Sequence, residues 1–354
     1  LFRSELILIF CGSVSTWIEK NIIRSTGFFG RISLYLTLNE LPLSDCNKLL
    51  EAQGFRGSVY EKFKILSVIG GVPWYIKQIR SDLNADENIK NLYFNKDSVL
   101  FNEFNLIFHD LFEKRSEIYK PIIEVLVNGS KEYNQIMEEL KYQKSGVLSS
   151  YIWDLIESGF ITRDYTWSVK DGTVARLSHF RLSDNYLRFY LKFIQPNFMQ
   201  IKQDSFKEIS MDSLPGWRSI LGLQFENLIL ENRQKIWKIL GIKPEDIVVD
   251  NPFFQRKTVR TPGCQIDYLI QTKFNTLFAC EVKFLKDEVK SDIIPEVKDK
   301  LNRFVLPQRF SCFPVLIHVN GVSEAVIDQG YFVKIIDFSK LLEEELRNIE
   351  GLTR

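Results

Sequence analysis

Residues 263–283 read GCQIDYLIQTKFNTLFACEVK and contain two short apolar runs, the first interrupted by Asp267 and the second followed by Glu281-Val282-Lys283. Short runs of this kind predict β-strands, which lie close enough in the chain to pair as an antiparallel hairpin. Because side chains alternate along a strand, Glu281 and Lys283 project from one face. Pairing in register places Asp267 beside Glu281. The segment therefore predicts a hairpin carrying a carboxylate pair and a lysine.

Two adjacent carboxylates in apolar surroundings repel each other unless a cation neutralises them. Mg²⁺ prefers oxygen ligands and lowers the pKa of bound water. Asp267 and Glu281 therefore predict a Mg²⁺ (or Mn²⁺) site whose bound water attacks a phosphodiester. Lys283 is then expected to stabilise developing negative charge or to orient the water. Glu226, on a predicted upstream helix, is expected at the edge as a further ligand or base. The alternative interpretation is a surface salt bridge between Lys283 and one of the acids.

The region 219–354 also shows the element order of an α/β domain. A helix is predicted first, strands follow, and strands then alternate with helices after Lys283. The predicted helices are 219–239, 293–304 and 338–349, and the predicted strands are 247–249, 265–271, 276–284, 314–318 and 332–336.

Residues 113–184 show three helical patterns followed by two strand patterns, 160–163 and 180–183, with an Asp171-Gly172 turn between them. This order predicts a winged helix, a variant of the helix-turn-helix. The third helix, 145–158, has no Lys or Arg, so base reading in a DNA groove is not expected of it. Positive charge lies at Lys141, Lys144, Arg163, Lys170, Arg176 and Arg181. These side chains predict non-specific phosphate contacts with DNA, and a purely structural wing is the alternative.

The first 112 residues begin with an α/β pattern and continue as helices. Leu6–Cys11 predicts a strand buried on both faces, a helix is predicted from Thr16 to Ile23, and Ile32–Leu38 predicts a second strand. Because the chain begins at Leu1, close to a strand, we expect that an upstream segment is missing. From residue 44 the pattern is helical, and the segment Gly70–Pro73 ends one helix and begins another.

Composition narrows the functional class. At 354 residues the chain predicts two or three domains, and a net charge of +1 gives no global nucleic-acid signature. The five cysteines are scattered, which predicts reduced thiols in a cytoplasmic protein, and the three histidines lie too far apart to indicate a zinc enzyme. No apolar run is long enough to span a bilayer, so no membrane partner is expected.

Five motifs, taken together, give the chain a resemblance to a family of archaeal and bacterial AAA+ (STAND-related) ATPases. Members of that family carry a winged helix and a PD-(D/E)xK restriction-endonuclease-like domain at the carboxyl end. The motifs are Phe10-Cys-Gly-Ser13, Gly30-Arg31, Ile69-Gly-Gly-Val-Pro-Trp-Tyr75, Phe180-Arg-Leu-Ser-Asp-Asn-Tyr-Leu-Arg-Phe-Tyr190, and Gln265-Ile-Asp267 with Glu281-Val-Lys283. They span nearly the whole chain in the order that the family has.

The resemblance implies roles for individual residues. Ser13 is expected near the terminal phosphate of ATP, and Arg31 is expected to act in trans on a neighbouring subunit. Asp267, Glu281 and Lys283 correspond to the nuclease core. ATP is implied as a cofactor of the full-length protein, with self-association through the ATPase core. The chain has no GxxxxGK[ST] motif, so this polypeptide alone is not expected to hydrolyse ATP.

The predicted architecture is a multidomain α/β protein. Its parts are the end of a P-loop ATPase core (1–45), a helical lid (46–112), a winged helix (113–184), a linker helix (185–218) and the nuclease-like domain (219–354). The first functional hypothesis is an ATPase-family protein acting on DNA through a Mg²⁺-dependent nuclease. The second is a non-catalytic switch that binds DNA or protein through a degenerate nuclease fold.

Overall fold

The computed structural model describes residues 9, 26–28, 30–34, 36, 38–104, 116–142, 146–206 and 209–343. Within these ranges the chain is a mixed α/β structure with two β-sheets. No helix of the described part is long and apolar enough to cross a membrane. The predicted strand 6–11 (apart from Ile9), the predicted helix 16–23, Ser13 and Lys144 all lie outside the described residues.

The helices and strands are numbered in chain order. The helices are α1 (Leu43–Ala52), α2 (Val59–Ile69), α3 (Pro73–Ile76), α4 (Ala85–Tyr93), α5 (Ser116–Glu124), α6 (Tyr133–Glu139), α7 (Gly146–Glu157), α8 (Asn185–Phe189), α9 (Phe198–Lys202), α10 (Trp217–Glu231), α11 (Arg233–Ile239), α12 (Ile293–Arg303) and α13 (Glu324–Asp328). The strands are β1 (Lys131–Glu132), β2 (Ile161–Trp167), β3 (Val174–Leu182), β4 (Ile247–Gln255), β5 (Cys264–Thr272), β6 (Thr276–Lys283), β7 (Ser311–His318) and β8 (Lys334–Asp337).

The strand predicted at Ile32–Leu38 is absent from the described residues of that segment. Residues 30 and 31 form a turn, and the described positions from 32 to 38 belong to no sheet. Leu34 and Leu36 are exposed there. A strand is stable only when neighbouring strands pair with its backbone groups, so the apolar pattern alone gave a wrong prediction.

Helices α1–α4 bear out the helical pattern of the segment after residue 43. Helix α2 begins with a capping box between Ser58 and Glu61, and it ends at Gly70, whose φ is +66°. A Cβ at Gly71 would lie 2.7 Å from the carbonyl oxygen of Leu41, so the chain passes there only because the residue is glycine. Helix α3 begins at Pro73, as the sequence predicts.

Residues 116–182 form a second unit, after the helices α1–α4. In it α6 and α7 contact a three-stranded sheet of order β1-β3-β2, and α5 contacts α7. The predicted strands 160–163 and 180–183 are the bases of a longer antiparallel hairpin, β2–β3. Strand β1 was not predicted, since it has only two residues. The aromatic residues after the hairpin are buried in the core: Tyr186, Phe189, Tyr190 and Phe193.

The single long helix predicted at 219–239 is two helices, α10 and α11. They are separated at Asn232, whose backbone leaves helical geometry (φ −106°, ψ 23°). The Asn232 side-chain amide donates a hydrogen bond of 2.8 Å to the carbonyl oxygen of Leu228. The side chain competes for a backbone acceptor there, which is how asparagine interrupts helices.

The larger sheet has the order β4-β5-β6-β7-β8. Strands β4, β5 and β6 are antiparallel, whereas β6, β7 and β8 are parallel, and α12 forms the crossover between β6 and β7. Helix α13 was not predicted. Of the helix predicted at 338–349, the described residues show a 3-10 helix over Phe338–Leu342.

The β2–β3 hairpin is fastened to the larger sheet. The indole nitrogen of Trp167 donates a hydrogen bond of 2.5 Å to Oε1 of Gln271, and Nε2 of Gln271 donates one of 2.9 Å to the carbonyl oxygen of Val169. Trp167 and Val169 are buried in one apolar cluster with Phe253. These contacts fix the hairpin relative to strands β4 and β5.

Candidate active site around Asp267 and Glu281

The pairing of β5 with β6 sets the position of the two acids. Tyr268 pairs with Cys280 and Leu269 with Ala279, so the same register continued by one residue places Asp267 opposite Glu281. The backbone N–H of Val282 donates a hydrogen bond of 3.0 Å to Oδ2 of Asp267. The predicted juxtaposition of the two carboxylates is therefore present in the structure.

A lysine that the sequence analysis missed lies between these acids. Lys300, from α12, contacts Glu281 and has its Nζ 3.5 Å from Oδ1 of Asp267. The side chain of Glu281 is 4% exposed, so its charge is held largely away from water. The two carboxylates thus share one ammonium group, which supplies the neutralising cation that two buried acids require.

Lys283 forms a second ion pair at the edge of the site. Its Nζ is 3.0 Å from Oε1 of Glu281 and 2.9 Å from Oε1 of Glu296. Burial acts to lower the pKa of Lys283, but the charges of Glu281 and Glu296 and the hydrogen bonds to them raise it overall above its usual value. Lys283 is therefore a permanent positive charge next to the carboxylate pair.

The environment raises the pKa values of Asp267 and Glu226. Burial, and secondly the charge of Glu281, raises the pKa of Asp267 to about 6 against the lowering effect of Lys300. Burial, and secondly the charge of Asp267, raises the pKa of Glu226 to about 8. The charge of Asp267 thus reaches Glu226 on α10, and the role of Glu226 as a further ligand or base stays a prediction.

The donor set fits a two-carboxylate metal site. Asp267 and Glu281 already contact a common cation, and Mg²⁺ is often held by one or two carboxylates while it keeps several waters. Within the described ranges, no group of three or more His, Cys, Asp or Glu side chains has the arrangement to hold a metal ion. The structure accordingly does not add Glu226 as a third ligand.

The residues predicted to contact nucleic acid lie mostly at the surface. Arg163, Lys170 and Arg176 are exposed on or near the β2–β3 hairpin. Arg181 is the exception and corrects the expectation. It is 8% exposed, and its Nε donates a hydrogen bond of 2.8 Å to Oδ2 of Asp164, so it supports the fold and does not meet phosphates. Arg31 is an exposed turn residue, and its proposed action on ATP stays a prediction.

A signal for Lys300 was present in the sequence. On α12, Ile293 and Val297 are buried and Leu301 packs against the core, so the inward face recurs every three or four residues. Lys300 follows Val297 by three positions and precedes Leu301 by one. A lysine at that place on an otherwise apolar face indicates a buried anionic partner.

Comparison with known proteins gives little information on the function of this chain. No family model matches it. An uncharacterized protein of the archaeon Methanocaldococcus jannaschii is 26% identical over 232 residues, which are 64% of this chain and 48% of that protein. The chain therefore spans about half the length of that relative. A crystal structure of a Vibrio cholerae protein aligns over 88% of this chain and 62% of its own, at 10% identity and a TM-score of 0.28.

Proposed function

We propose that residues 219–354 form a PD-(D/E)xK nuclease-like domain that cleaves phosphodiesters in DNA with Mg²⁺ or Mn²⁺. The observation that supports this most is the meeting of Asp267 and Glu281 at one shared cation, with Lys283 beside them. Paired acids and an adjacent lysine are the groups that such hydrolysis needs.

Each side chain has a distinct part in this proposal. Asp267 and Glu281 would hold the metal, which supplies a water of lowered pKa and charge for the phosphate oxygens. Lys283, held 3.0 Å from Glu281, stabilises the negative charge that develops on the phosphate. Glu226 is mostly protonated at neutral pH because its pKa is about 8, so in the metal-free protein it holds a proton and does not act as a base.

In the metal-free protein, Lys300 neutralises the charge of the two acids. Its ammonium group contacts both carboxylates, where a divalent cation would also be attracted. Lys300 and the metal are therefore alternatives for one pair of acids. With a metal bound, Lys300 would no longer be needed to neutralise the acids, and its charge would be available to a phosphate.

The remaining regions enter the proposal through the family resemblance. Residues 113–184 are proposed to be a winged helix that contacts DNA phosphates, and residues 46–112 a helical lid. Residues 1–45, with Ser13 and Arg31, are proposed to be the end of an ATPase core. ATP binding and self-association through that core belong to the longer protein of which this chain would be part.

A non-catalytic switch is the second candidate. The observation that favours it is Lys300 itself, because a lysine that neutralises both acids makes the site stable without metal. In that case the domain would bind DNA or protein without cutting.

A thermal-shift measurement with Mg²⁺ or Mn²⁺ separates the two candidates. If the site binds metal, a metal concentration a hundredfold above the Kd raises the free energy of unfolding by about 2.7 kcal/mol. Asp267→Asn is expected to remove that stabilisation. Glu245→Gln is the matched control, since Glu245 is exposed and lies before β4, at the end of the sheet away from Asp267. Equal metal responses of the wild-type and Asp267→Asn proteins would favour the switch.

A further inference from the structure

A cavity of about 400 Å³ opens on the surface formed by α6, α7 and the β2–β3 hairpin. Arg256, the residue after β4, also lines it. The side chains that matter for its chemistry are Tyr133, Ser149, Trp153, Arg163, Arg176 and Arg256. None of them belongs to the site around Asp267.

The cavity has an excess of positive charge. Arg163 uses its Nε to donate a hydrogen bond of 2.9 Å to Oγ of Ser178, which orients the guanidinium. In the described part of the chain neither Arg163 nor Arg176 has an acidic partner, whereas Arg256 is paired with Glu132. Two exposed arginines that line one cavity without an acidic partner can bind a phosphate group, because guanidinium binds phosphate with paired hydrogen bonds.

An aromatic surface lies beside these arginines. Trp153 on α7 is 55% exposed, although indole rings are usually largely buried. Tyr133 lines the same cavity, and its hydroxyl accepts a hydrogen bond of 3.2 Å from Oγ of Ser149. An exposed indole face next to phosphate-binding groups is the arrangement on which nucleobases stack.

We propose that this cavity binds one nucleotide unit, with the base stacked on Trp153 and the phosphate held by Arg163 and Arg176. The unit can belong to a single-stranded nucleic acid or to a free nucleotide, since both present a base and a phosphate. Reading of a duplex groove by α7 is disfavoured because that helix carries no Lys or Arg. This inference does not require that the site around Asp267 cuts.

The larger sheet connects the cavity to the candidate active site. Arg256 directly follows Gln255, which pairs with Cys264 of β5, and Asp267 is three residues further along that strand. Three strand residues span roughly 10 Å. The exposed Lys257 and Arg260 lie in the loop between β4 and β5. A single strand bound in the cavity therefore leaves along a positively charged path that leads toward Asp267.

Binding measurements test the inference without any cleavage. The probes are a fluorescently labelled single strand of about ten nucleotides, the duplex of the same sequence, and dAMP, all in EDTA so that no metal contributes. Trp153→Ala is expected to weaken single-strand binding roughly tenfold, and the double variant Arg163→Gln/Arg176→Gln should do so by a similar or larger factor. Trp74→Ala and Arg218→Gln are matched controls, because both residues are exposed and lie outside the cavity.

The three probes distinguish the sources of the nucleotide. Tight binding of the single strand with weak binding of dAMP supports a nucleic-acid strand, and comparable binding of dAMP supports a free nucleotide. Equal binding of duplex and single strand that Trp153→Ala leaves unchanged would overturn the proposal, since contact would then be made to phosphates alone. Single-strand binding that only the control variants weaken would also overturn it.

Discussion

Two buried groups of charged side chains lie in this molecule, and they are built on opposite principles. At the base of the β2–β3 hairpin, Arg181 meets Asp164, one cation for one anion. On the larger sheet, Asp267 and Glu281 share Lys300, and Glu281 also contacts Lys283. The first arrangement joins one carboxylate to one guanidinium, whereas the second brings two carboxylates side by side, where a metal ion could also bind.

The hairpin pair is satisfied on every side. Arg181 donates from Nε and Nη2 to Asp164 at 2.8 and 3.2 Å and also contacts the side-chain oxygen of Asn227. Asn227 donates in turn to the carbonyl oxygens of Leu182 and Ser183. Complete hydrogen bonding of this kind holds a buried charge pair in one geometry and fixes α10 to the hairpin.

Asp267 and Glu281 on the larger sheet still repel each other in the folded protein. Burial and the charge of Glu281 hold the pKa of Asp267 at about 6 despite the nearby Lys300. A carboxyl group whose pKa is raised by burial and by a neighbouring charge is more typical of a functional site than of a structural ion pair. The difference between the two clusters therefore predicts a large loss of stability when the acid of the hairpin pair is removed and a small one when Asp267 is removed.

The largest expected effect is on the hairpin pair. Asp164→Asn leaves the buried Arg181 without its counter-ion and should lower the free energy of unfolding by roughly 3–5 kcal/mol. Asp267→Asn should have a much smaller effect because it relieves repulsion with Glu281. Urea denaturation measures both, with the exposed Asp97→Asn as control. Equal losses at Asp164 and Asp267 would erase the proposed contrast.

A pH series sharpens the same comparison. The pKa of Asp267 rises from its usual value of 3.8 to about 6 on folding, so the folded state binds the proton more tightly. Its contribution to stability is therefore complete below pH 4 and is lost as the pH rises through 6. Relative to Asp267→Asn, the metal-free wild type should lose up to about 3 kcal/mol over this window. A difference that grows in the opposite direction would mean that the carboxylate is stabilised by folding.

The smallest expected effect concerns Lys300. Lys300→Met removes the cation that competes for Asp267 and Glu281, so calorimetric titration with Mn²⁺ should show an affinity increase of about tenfold, or ~1.4 kcal/mol. Lys298→Met, on the exposed side of the same helix, is the matched control. Weaker Mn²⁺ binding in Lys300→Met would show that Lys300 supports the metal site and does not compete for it.

The part of the site that follows from local rules could be predicted from the sequence. Alternation along β6 places Glu281 and Lys283 together, and the short hairpin sets Asp267 opposite Glu281. Lys300 could not be placed in the same way, because its position depends on how α12 packs back across the sheet. Only its place on the inward face of that helix indicated burial.

Contacts of individual residues, which an apolar pattern does not show, decided the parts that were predicted wrongly. Residues 32–38 have a strand-like pattern, but no strand pairs with the described part of the segment. The break between α10 and α11 depends on one side-chain hydrogen bond of Asn232, which helical periodicity does not register. Arg181 was counted among surface charges because its partner, Asp164, comes from the opposite strand of the hairpin.

The central claim is that the carboxylate pair is a metal-dependent hydrolytic site, and DNA cleavage by the purified chain with Mg²⁺ or Mn²⁺ tests it most directly. The expected result is cleavage that falls by on the order of a hundredfold or more in both Asp267→Asn and Lys283→Ala and persists in Glu245→Gln, whose side chain is exposed at the other end of the sheet. Circular dichroism should show that the inactive variants remain folded. Undiminished cleavage by folded Asp267→Asn protein, or no cleavage by the wild type with either metal, would contradict the claim.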